Sequence, residues 1–201
     1  MIKAIIFDLW ETLGTKNIGV SKTLIHKFKI EKSPNFLVKY ERAIQLKQYE
    51  SYDELSRSFL KEFGIETTIE NIEFVINTLQ QGIAGATLFE GIYELIESLS
   101  KNYKLGILSN TTSFEAETPK KWKISSFIDV QVYSWQLGSI KPSFKNFKAI
   151  CSKLAVSPNE AIFIDDNEKN IIAAKNFGLN GIQYKNIEQL KKELVSYNVN
   201  I

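Results

Sequence analysis

The segment Ala4-Ile-Ile-Phe-Asp8-Leu-Trp-Glu-Thr12, close to the start of the chain, joins an apolar run to a group of polar residues. Its first four residues are apolar without alternation, which is typical of a strand buried on both faces of a parallel sheet. Asp8 follows directly, at the carboxyl end of that strand, where doubly wound sheets bind their ligands. The segment therefore predicts a central strand with a functional carboxylate at its end.

The same strand pattern recurs along the chain, and helical patterns lie between the repeats. Strand followed by helix indicates parallel strands joined by crossover helices, so the sequence predicts an α/β fold with a doubly wound, Rossmann-like parallel sheet. The further strands are expected at Lys104–Ser109, Asp129–Tyr133, Ala161–Asp165 and Gly181–Tyr184, and the helices at Gly91–Ser100, Phe144–Leu154, Asn167–Phe177 and Ile187–Tyr197.

One stretch interrupts this alternation. Residues 15–86 show no convincing strand, and their apolar residues recur at helical spacing, with Ser51 and Glu54 placed to form a capping box. We interpret residues 15–86 as a helical cap inserted into a core of residues 1–14 and 87–201. Glycines flank the insert and suit hinges, although the last two also suit the end of a helix: Gly14, Gly19, Gly82 and Gly85.

Polar and charged residues follow the other strands as well. Ser109 and Asn110 follow the second strand, Lys141 precedes a helix, and Asp165-Asp166-Asn167 follows the fourth strand, with Asn170 one turn later. Three carboxylates in one crevice repel one another and need cations. Lys141 supplies one positive charge, and a hard divalent ion such as Mg²⁺, which prefers oxygen ligands, would supply the rest.

A purely structural interpretation of the fourth-strand carboxylates is that they cap the helix beginning at Asn167. Capping would account for Asp165 or Asp166, but it leaves Asp8 and Lys141 unexplained.

Composition excludes several other classes of function. The net charge is +2 and the basic residues are scattered, which argues against a nucleic-acid partner. One cysteine and one histidine, Cys151 and His26, cannot form a disulfide, a thiolate metal site or a Cys–His pair. The apolar N-terminal run is too short for a signal peptide or a membrane span, so we expect a cytoplasmic protein without a membrane partner.

Four segments together resemble the four motifs of the haloacid dehalogenase-like superfamily. They are Phe7-Asp-Leu-Trp-Glu-Thr-Leu13, Leu108-Ser-Asn-Thr111, Ile140-Lys-Pro142, and Phe163-Ile-Asp-Asp-Asn167 through Asn170. The helical insert resembles the type-one cap of that superfamily. The resemblance spans essentially the whole chain, and the four motifs in this order are more specific than any one of them.

The resemblance implies a role for each matching residue. Asp8 would be the nucleophile that forms a covalent intermediate, and Lys141 would orient Asp8 and stabilise charge. Ser109 and the Asn110 backbone amide would hold the transferred group. Asp8, Asp166 and the Trp10 carbonyl would hold Mg²⁺. Asp165 and Asn170 would support the metal site without binding the ion directly, or through a water molecule in the case of Asp165. Thr12 would form a hydrogen bond within the first loop. Contacts with the substrate would come from Trp10, Thr12, Asn110 and Arg42.

The sequence departs from the family pattern at Trp10. Phosphatases of this superfamily usually place an aspartate there as general acid and base, and tryptophan cannot transfer a proton. Glu11 receives little weight as a replacement, because adjacent residues on an extended segment point to opposite sides. We therefore expect slow or selective turnover.

Two alternatives remain open beside a Mg²⁺-dependent phosphatase. The dehalogenase branch also lacks that aspartate, needs no metal, and uses a cap arginine, for which Arg42 is the candidate. The pair Asp165-Asp166 opposes this alternative. The other alternative is a non-catalytic binding protein, since fold does not imply activity. The favoured partner is a small phosphorylated metabolite, and the expected assembly is a monomer or homodimer.

Overall fold

The computed structural model describes residues 1–31 and 36–201. Within them the strands are β1 Ala4–Phe7, β2 Gly14–Lys16, β3 Ala86–Leu88, β4 Lys104–Ser109, β5 Val130–Tyr133, β6 Ala161–Asp165 and β7 Asn180–Gln183. The helices are α1 Val20–Phe28, α2 Phe36–Gln45, α3 Tyr52–Glu62, α4 Ile69–Ala84, α5 Ile92–Ser100, α6 Thr118–Lys121, α7 Ser134–Leu137, α8 Phe144–Leu154, α9 Glu168–Phe177 and α10 Ile187–Ser196.

Five parallel strands form the central sheet in the order β5-β4-β1-β6-β7. β1 lies at its centre, where Phe7 is in register with Ile107 of β4 and Ile164 of β6. All four β1 residues are buried because neighbouring strands and helices cover both edges and both faces. The predicted doubly wound α/β sheet is confirmed.

Alternate residues of β1 pack into different hydrophobic layers, as the two-residue period of a strand requires. Ile5 and Phe7 join a layer that includes residues of α5 and α10. Ala4 and Ile6 join the opposite layer, which includes residues of α8 and α9. With both faces covered, the carboxyl ends of the strands form the edge at which polar groups collect.

The inserted helices α1 to α4 have a hydrophobic cluster of their own, which includes Leu24, Leu55 and Phe59. At the start of α3, Ser51 Oγ accepts the Glu54 N–H at 3.1 Å. The Glu54 carboxylate accepts the N–H of Glu50, not that of Ser51, so only half of the expected capping box forms.

The prediction that residues 15–86 contain no strand is wrong at both ends of the insert. β2 and β3 pair antiparallel, with Thr15 opposite Thr87. Each strand has three residues, too few for a period to be recognised, and their pairing joins positions about seventy residues apart. Gly14 is required here, since a Cβ would lie 2.3 Å from the Thr87 carbonyl oxygen.

Two further features bear on the sequence-based expectations. Gly85 is the C-cap of α4, which agrees with its interpretation as a helix end. No helix in the described ranges is both long enough and apolar enough to span a lipid bilayer.

Candidate active site

A cavity of about 330 Å³ lies where β4, β1 and β6 end. The core contributes Asp8, Asn110, Lys141 and Asp166 to its lining, because each follows a strand or occupies a loop at that edge. The insert contributes residues of α2 from the other side. This volume falls in the range of small-molecule sites.

Lys141 is buried between two carboxylates. Its Nζ lies 2.8 Å from Asp8 Oδ1 and 2.6 Å from Asp165 Oδ2. Burial alone would lower the pKa of Lys141, but the two carboxylates outweigh it and hold the pKa above its usual value. Lys141 is therefore a permanent cation that fixes the position of Asp8.

Asp8 combines burial with a one-sided set of contacts. Its Oδ1 accepts the Leu9 N–H at 2.7 Å as well as the Lys141 contact. Burial raises the pKa of Asp8 to about 7, with Asp165 adding to the rise and Lys141 opposing it. Both of these contacts engage Oδ1, and neither engages Oδ2.

Asp165 is held by protein donors on both oxygens. Oδ1 accepts the Asn167 N–H at 2.8 Å, and Asn170 Nδ2 lies 3.0 Å from each carboxylate oxygen. Oδ2 also accepts from Lys141. Asp165 is therefore placed to position Lys141, and Asn170 to position Asp165.

The capping interpretation of the fourth-strand carboxylates is not what the structure shows. Asn167 is the N-cap of α9, and its side chain accepts the Lys169 N–H at 3.0 Å. Asp166 instead lines the cavity. Burial, followed by the charge of Asp165, raises the pKa of Asp166 to about 6.

Three carboxylates form the acidic cluster expected from the sequence. One oxygen each of Asp8, Asp165 and Asp166 lie within 4.8 Å of one another. Thr12 supports this cluster from below, since its Oγ1 accepts the Asp166 N–H at 3.1 Å. Thr12 is fully buried and bridges two loops, so it neither bonds within its own loop nor lines the cavity, contrary to both expectations.

The second strand end supplies hydrogen-bonding groups. Ser109 is buried next to Asp8, whose pKa it helps to lower, and it does not itself line the cavity. Its Oγ has no well-formed hydrogen bond within the described ranges. The Asn110 side chain accepts the Lys141 N–H at 2.7 Å and lines the cavity. Asn110 thus ties the Lys141 loop to the sheet edge.

Trp10 is fixed by a network that the sequence did not reveal. Its Nε1 donates to Thr111 Oγ1 at 3.2 Å, and Lys16 Nζ lies 4.3 Å from its ring centroid. Thr111 and Lys16 both contact the buried carboxylate of Glu115. Burial favours a raised pKa for Glu115, but Lys16 and the hydrogen bonds lower it overall. Trp10 is thus a fixed wall of the cavity.

Glu11 lies in a turn, not on an extended segment. Its φ is +58°, and its N–H donates to the Gly14 carbonyl at 2.8 Å. The argument that adjacent residues point oppositely therefore fails here. Glu11 lines the cavity, and its carboxylate accepts the Thr15 hydroxyl at 2.6 Å.

The inserted helices α1 to α4 are called the cap, and their side of the cavity includes Tyr40, Glu41 and Gln45 of α2. Gln45 is buried, and its Oε1 has no hydrogen-bond partner within residues 1–31 and 36–201. Burial raises the pKa of Glu41; the Asn110 amide and the Lys141 charge oppose the rise.

Arg42, expected to bind substrate, is exposed and does not line the cavity, because α2 turns the adjacent position inward.

Comparison with known proteins agrees with this geometry. The family model for haloacid dehalogenase-like hydrolases matches residues 5–183. A putative pyrophosphatase PpaX of Clostridium perfringens is 28% identical over 92% of this chain and 85% of its own length. Flavin mononucleotide hydrolase 1 of Arabidopsis thaliana is 24% identical over 74% of this chain, which spans only 58% of that protein.

A solved structure shows the same fold. A haloacid dehalogenase-family enzyme of Bacteroides thetaiotaomicron, in complex with magnesium and inorganic phosphate, superposes with a TM-score of 0.67. It is 20% identical, and the superposition covers 92% of this chain and 95% of that one. The resemblance inferred from the four motifs is confirmed. The chain belongs to the haloacid dehalogenase-like hydrolase family.

Proposed function

We propose that this protein is a Mg²⁺-dependent phosphatase that hydrolyses a small phosphorylated metabolite with Asp8 as nucleophile. The observation that carries the proposal is the arrangement of Asp8, with Oδ1 held by Lys141 and the Leu9 amide and with Asp166 beside it. A nucleophilic carboxylate needs one free oxygen and a fixed orientation, and this arrangement supplies both.

The donor set suits Mg²⁺. Carboxylate and carbonyl oxygens are hard ligands, and Mg²⁺ commonly takes one or two carboxylates together with substrate phosphate and water. Asp8, Asp166 and the Trp10 carbonyl would hold the ion. Asp165 is less suited to direct binding, since Lys141, Asn167 and Asn170 occupy its oxygens. When bound, the ion would neutralise charge on the phosphoryl oxygens.

The residues divide the reaction between them. Asp8 Oδ2 attacks phosphorus, the bond from phosphorus to the leaving oxygen breaks, and an aspartyl phosphate forms. Lys141 stabilises negative charge on the phosphoryl group, and Ser109 Oγ donates a hydrogen bond to it. Water then attacks phosphorus and returns the Asp8 carboxylate together with inorganic phosphate.

The named relatives support phosphoryl chemistry over dehalogenation. One of the two sequence relatives is a putative pyrophosphatase and the other a flavin mononucleotide hydrolase, and both names denote hydrolysis of phosphate compounds. Asp166 and the exposed Arg42 also fit a phosphatase better than an enzyme that binds a 2-halo acid through a cap arginine.

A phosphatase panel with and without Mg²⁺, run beside a 2-chloropropionate assay, tests the proposal. Phosphate release that EDTA abolishes is the expected result. Halide release that persists in EDTA would contradict it. Calorimetry tests the metal ligands. Asp166→Asn should weaken Mg²⁺ binding by more than the ~10–100-fold that is typical when a residue hydrogen-bonded to a ligand is replaced. The exposed Asp53→Asn is the matched control.

A further inference from the structure

The leaving oxygen of a phosphate ester departs more easily when an acid protonates it, and a positioned acid contributes roughly 10²–10⁴-fold. Four carboxyl groups in the described ranges line the cavity: Asp8, Glu11, Glu41 and Asp166. Asp8 acts as nucleophile and Asp166 as metal ligand in the proposed function. Glu11 accepts a hydrogen bond from Thr15 and adds to the raised pKa of Asp166, which places it on the metal side.

We propose that Glu41, on the cap helix α2, is the catalytic residue that protonates the leaving oxygen and then activates the attacking water. The inference rests on the proposed function and adds a residue to it. It also moves the source of the proton from the core loop, where Trp10 stands, to the cap.

The position of α2 supports this assignment. Tyr40, Ala43 and Ile44 are buried in the hydrophobic cluster of the cap, so the rotation of the helix is fixed. That rotation directs Glu41 to the cavity, beside Asn110 of the core and within range of the Lys141 charge. The Glu41 carboxyl group therefore lines the same cavity as the Asp8 carboxylate, on the side formed by α2.

The environment of Glu41 also suits an acid. The side chain is half-buried, and burial raises its pKa, which increases the protonated fraction near neutral pH. The charges that face it are Lys141 and Asp165 of the core, and their effects on its pKa oppose each other. No other residue of α2 that lines the cavity carries a carboxyl group.

Glu41 gives up one proton in the first half-reaction and takes one back in the second, so the two half-reactions balance. In the first, the bonding electrons pass to the leaving oxygen, which takes the proton from the Glu41 carboxyl group. In the second, the Glu41 carboxylate takes a proton from water as the water oxygen bonds to phosphorus. The bond from phosphorus to Asp8 breaks, phosphate leaves, and Glu41 is again protonated.

The test compares Glu41→Gln with wild type on p-nitrophenyl phosphate and phenyl phosphate, at saturating Mg²⁺. Neither leaving group carries a hydroxyl substituent that Glu41 could recognise, and the para-nitro group, the one structural difference, makes p-nitrophenolate the leaving group with far less need of a proton. We expect kcat/KM for phenyl phosphate to fall by ~10² or more and that for p-nitrophenyl phosphate by only a few-fold. Glu62→Gln, an exposed cap substitution, is the matched control.

Pre-steady-state kinetics give a second readout. Glu41→Gln should release a burst of p-nitrophenol, because the aspartyl phosphate loses the base that activates water, whereas wild type should show a smaller burst or none. Glu41→Asp, which keeps a carboxyl group, should lose less than Glu41→Gln. It also serves as the readout if the glutamine variant fails to fold.

Three outcomes would overturn the inference. They are equal losses on both substrates, no loss on either, or a selective loss in Glu11→Gln in place of Glu41→Gln. Failure of the proposed function looks different, since wild type would then show no Asp8-dependent phosphate release at all.

Discussion

The core side and the cap side of the cavity differ in how firmly each residue is held. On the core side, Lys141 contacts two carboxylates, and Asp165 accepts from three separate donors. On the cap side, Glu41 is half-buried, and Gln45 Oε1 has no hydrogen-bond partner in the part of the chain that the structure describes. Lys141 and Asp165 of the core are preorganised, whereas Gln45 of the cap has hydrogen-bonding capacity left for a ligand.

This difference suggests a division of labour. Preorganised charges stabilise a transition state without reorganisation, so a constant reaction step belongs on the core. The cap faces the leaving group, which varies between substrates, and Glu41 of the cap is the residue proposed to protonate that leaving group. Variants that disturb each side separately can break or sharpen this comparison.

The largest effect is expected from the core nucleophile. Asp8→Asn keeps the shape of the side chain but cannot form the aspartyl phosphate, so we expect kcat to fall by roughly 10⁴-fold or more. Steady-state assays with p-nitrophenyl phosphate measure this loss, with circular dichroism to verify the fold. Turnover by the purified variant at the wild-type rate would remove Asp8 from the mechanism.

A smaller effect links the two sides. In the Glu41→Gln background, the further substitution Trp10→Asp places a carboxyl group on the core wall of the cavity. We expect it to recover about 10-fold of the lost activity on phenyl phosphate, within the range that a positioned acid supplies. Trp10→Asn in the same background is the matched control, since it has no proton to give.

The rescue has a structural cost that must be measured alongside it. Trp10 packs edge-to-face against Trp122 at 5.8 Å and donates to Thr111, so its replacement should lower thermal stability. A double variant that folds and is no more active than Glu41→Gln would show that position 10 cannot deliver a proton.

The central sheet and the carboxylates at its edge could be predicted, because they depend only on the apolar strands and on their parallel order. Apolar runs identified the strands, and parallel neighbours bring their carboxyl ends to one edge, so Asp8 and Asp165 meet there. Lys141 reaches them from a loop that Asn110 ties to the same edge. The burial and charge of this group followed from the same reasoning.

The remaining features depend on geometry that residue types do not determine. The expectation of Arg42 at the substrate rests on the cap arginine of the dehalogenase branch, but the rotation of α2 brings the neighbouring Glu41 to the cavity. A left-handed turn at Glu11 reverses an argument that assumed extended backbone. Glu115 lies about one hundred residues from Lys16, so no local pattern could indicate their pairing.

A moderate effect is expected on stability and its pH dependence. The pKa of Asp8 in the folded chain, about 7, lies above its ordinary value of 3.8. The folded state therefore binds the Asp8 proton more tightly than the unfolded state does. The stability contributed by protonated Asp8 is lost as the pH rises from about 4 through 7. Asp8→Asn removes that loss.

We accordingly expect metal-free Asp8→Asn to be more stable than wild type at pH 8, by on the order of 1 kcal/mol, with a smaller difference at pH 5. Thermal unfolding in EDTA at both pH values measures this, and Asp53→Asn is the exposed control. A variant less stable than wild type at pH 8 would mean that the Lys141 contact outweighs the cost of burying the Asp8 charge.

The smallest effect is expected at Arg42. It follows Glu41 on α2, yet its side chain is exposed and away from the cavity, and surface substitutions usually change stability by less than about 0.5 kcal/mol. Arg42→Ala should therefore leave kcat/KM for phenyl phosphate within about two-fold of wild type, while Glu41→Gln, one position away, does not. A ten-fold rise in KM without a loss of stability would contradict this, because α2 would then have to rotate on substrate binding and bring Arg42 to the substrate. Such a rotation would withdraw Glu41 from the cavity, so the paired variants test which of two neighbouring residues meets the ligand.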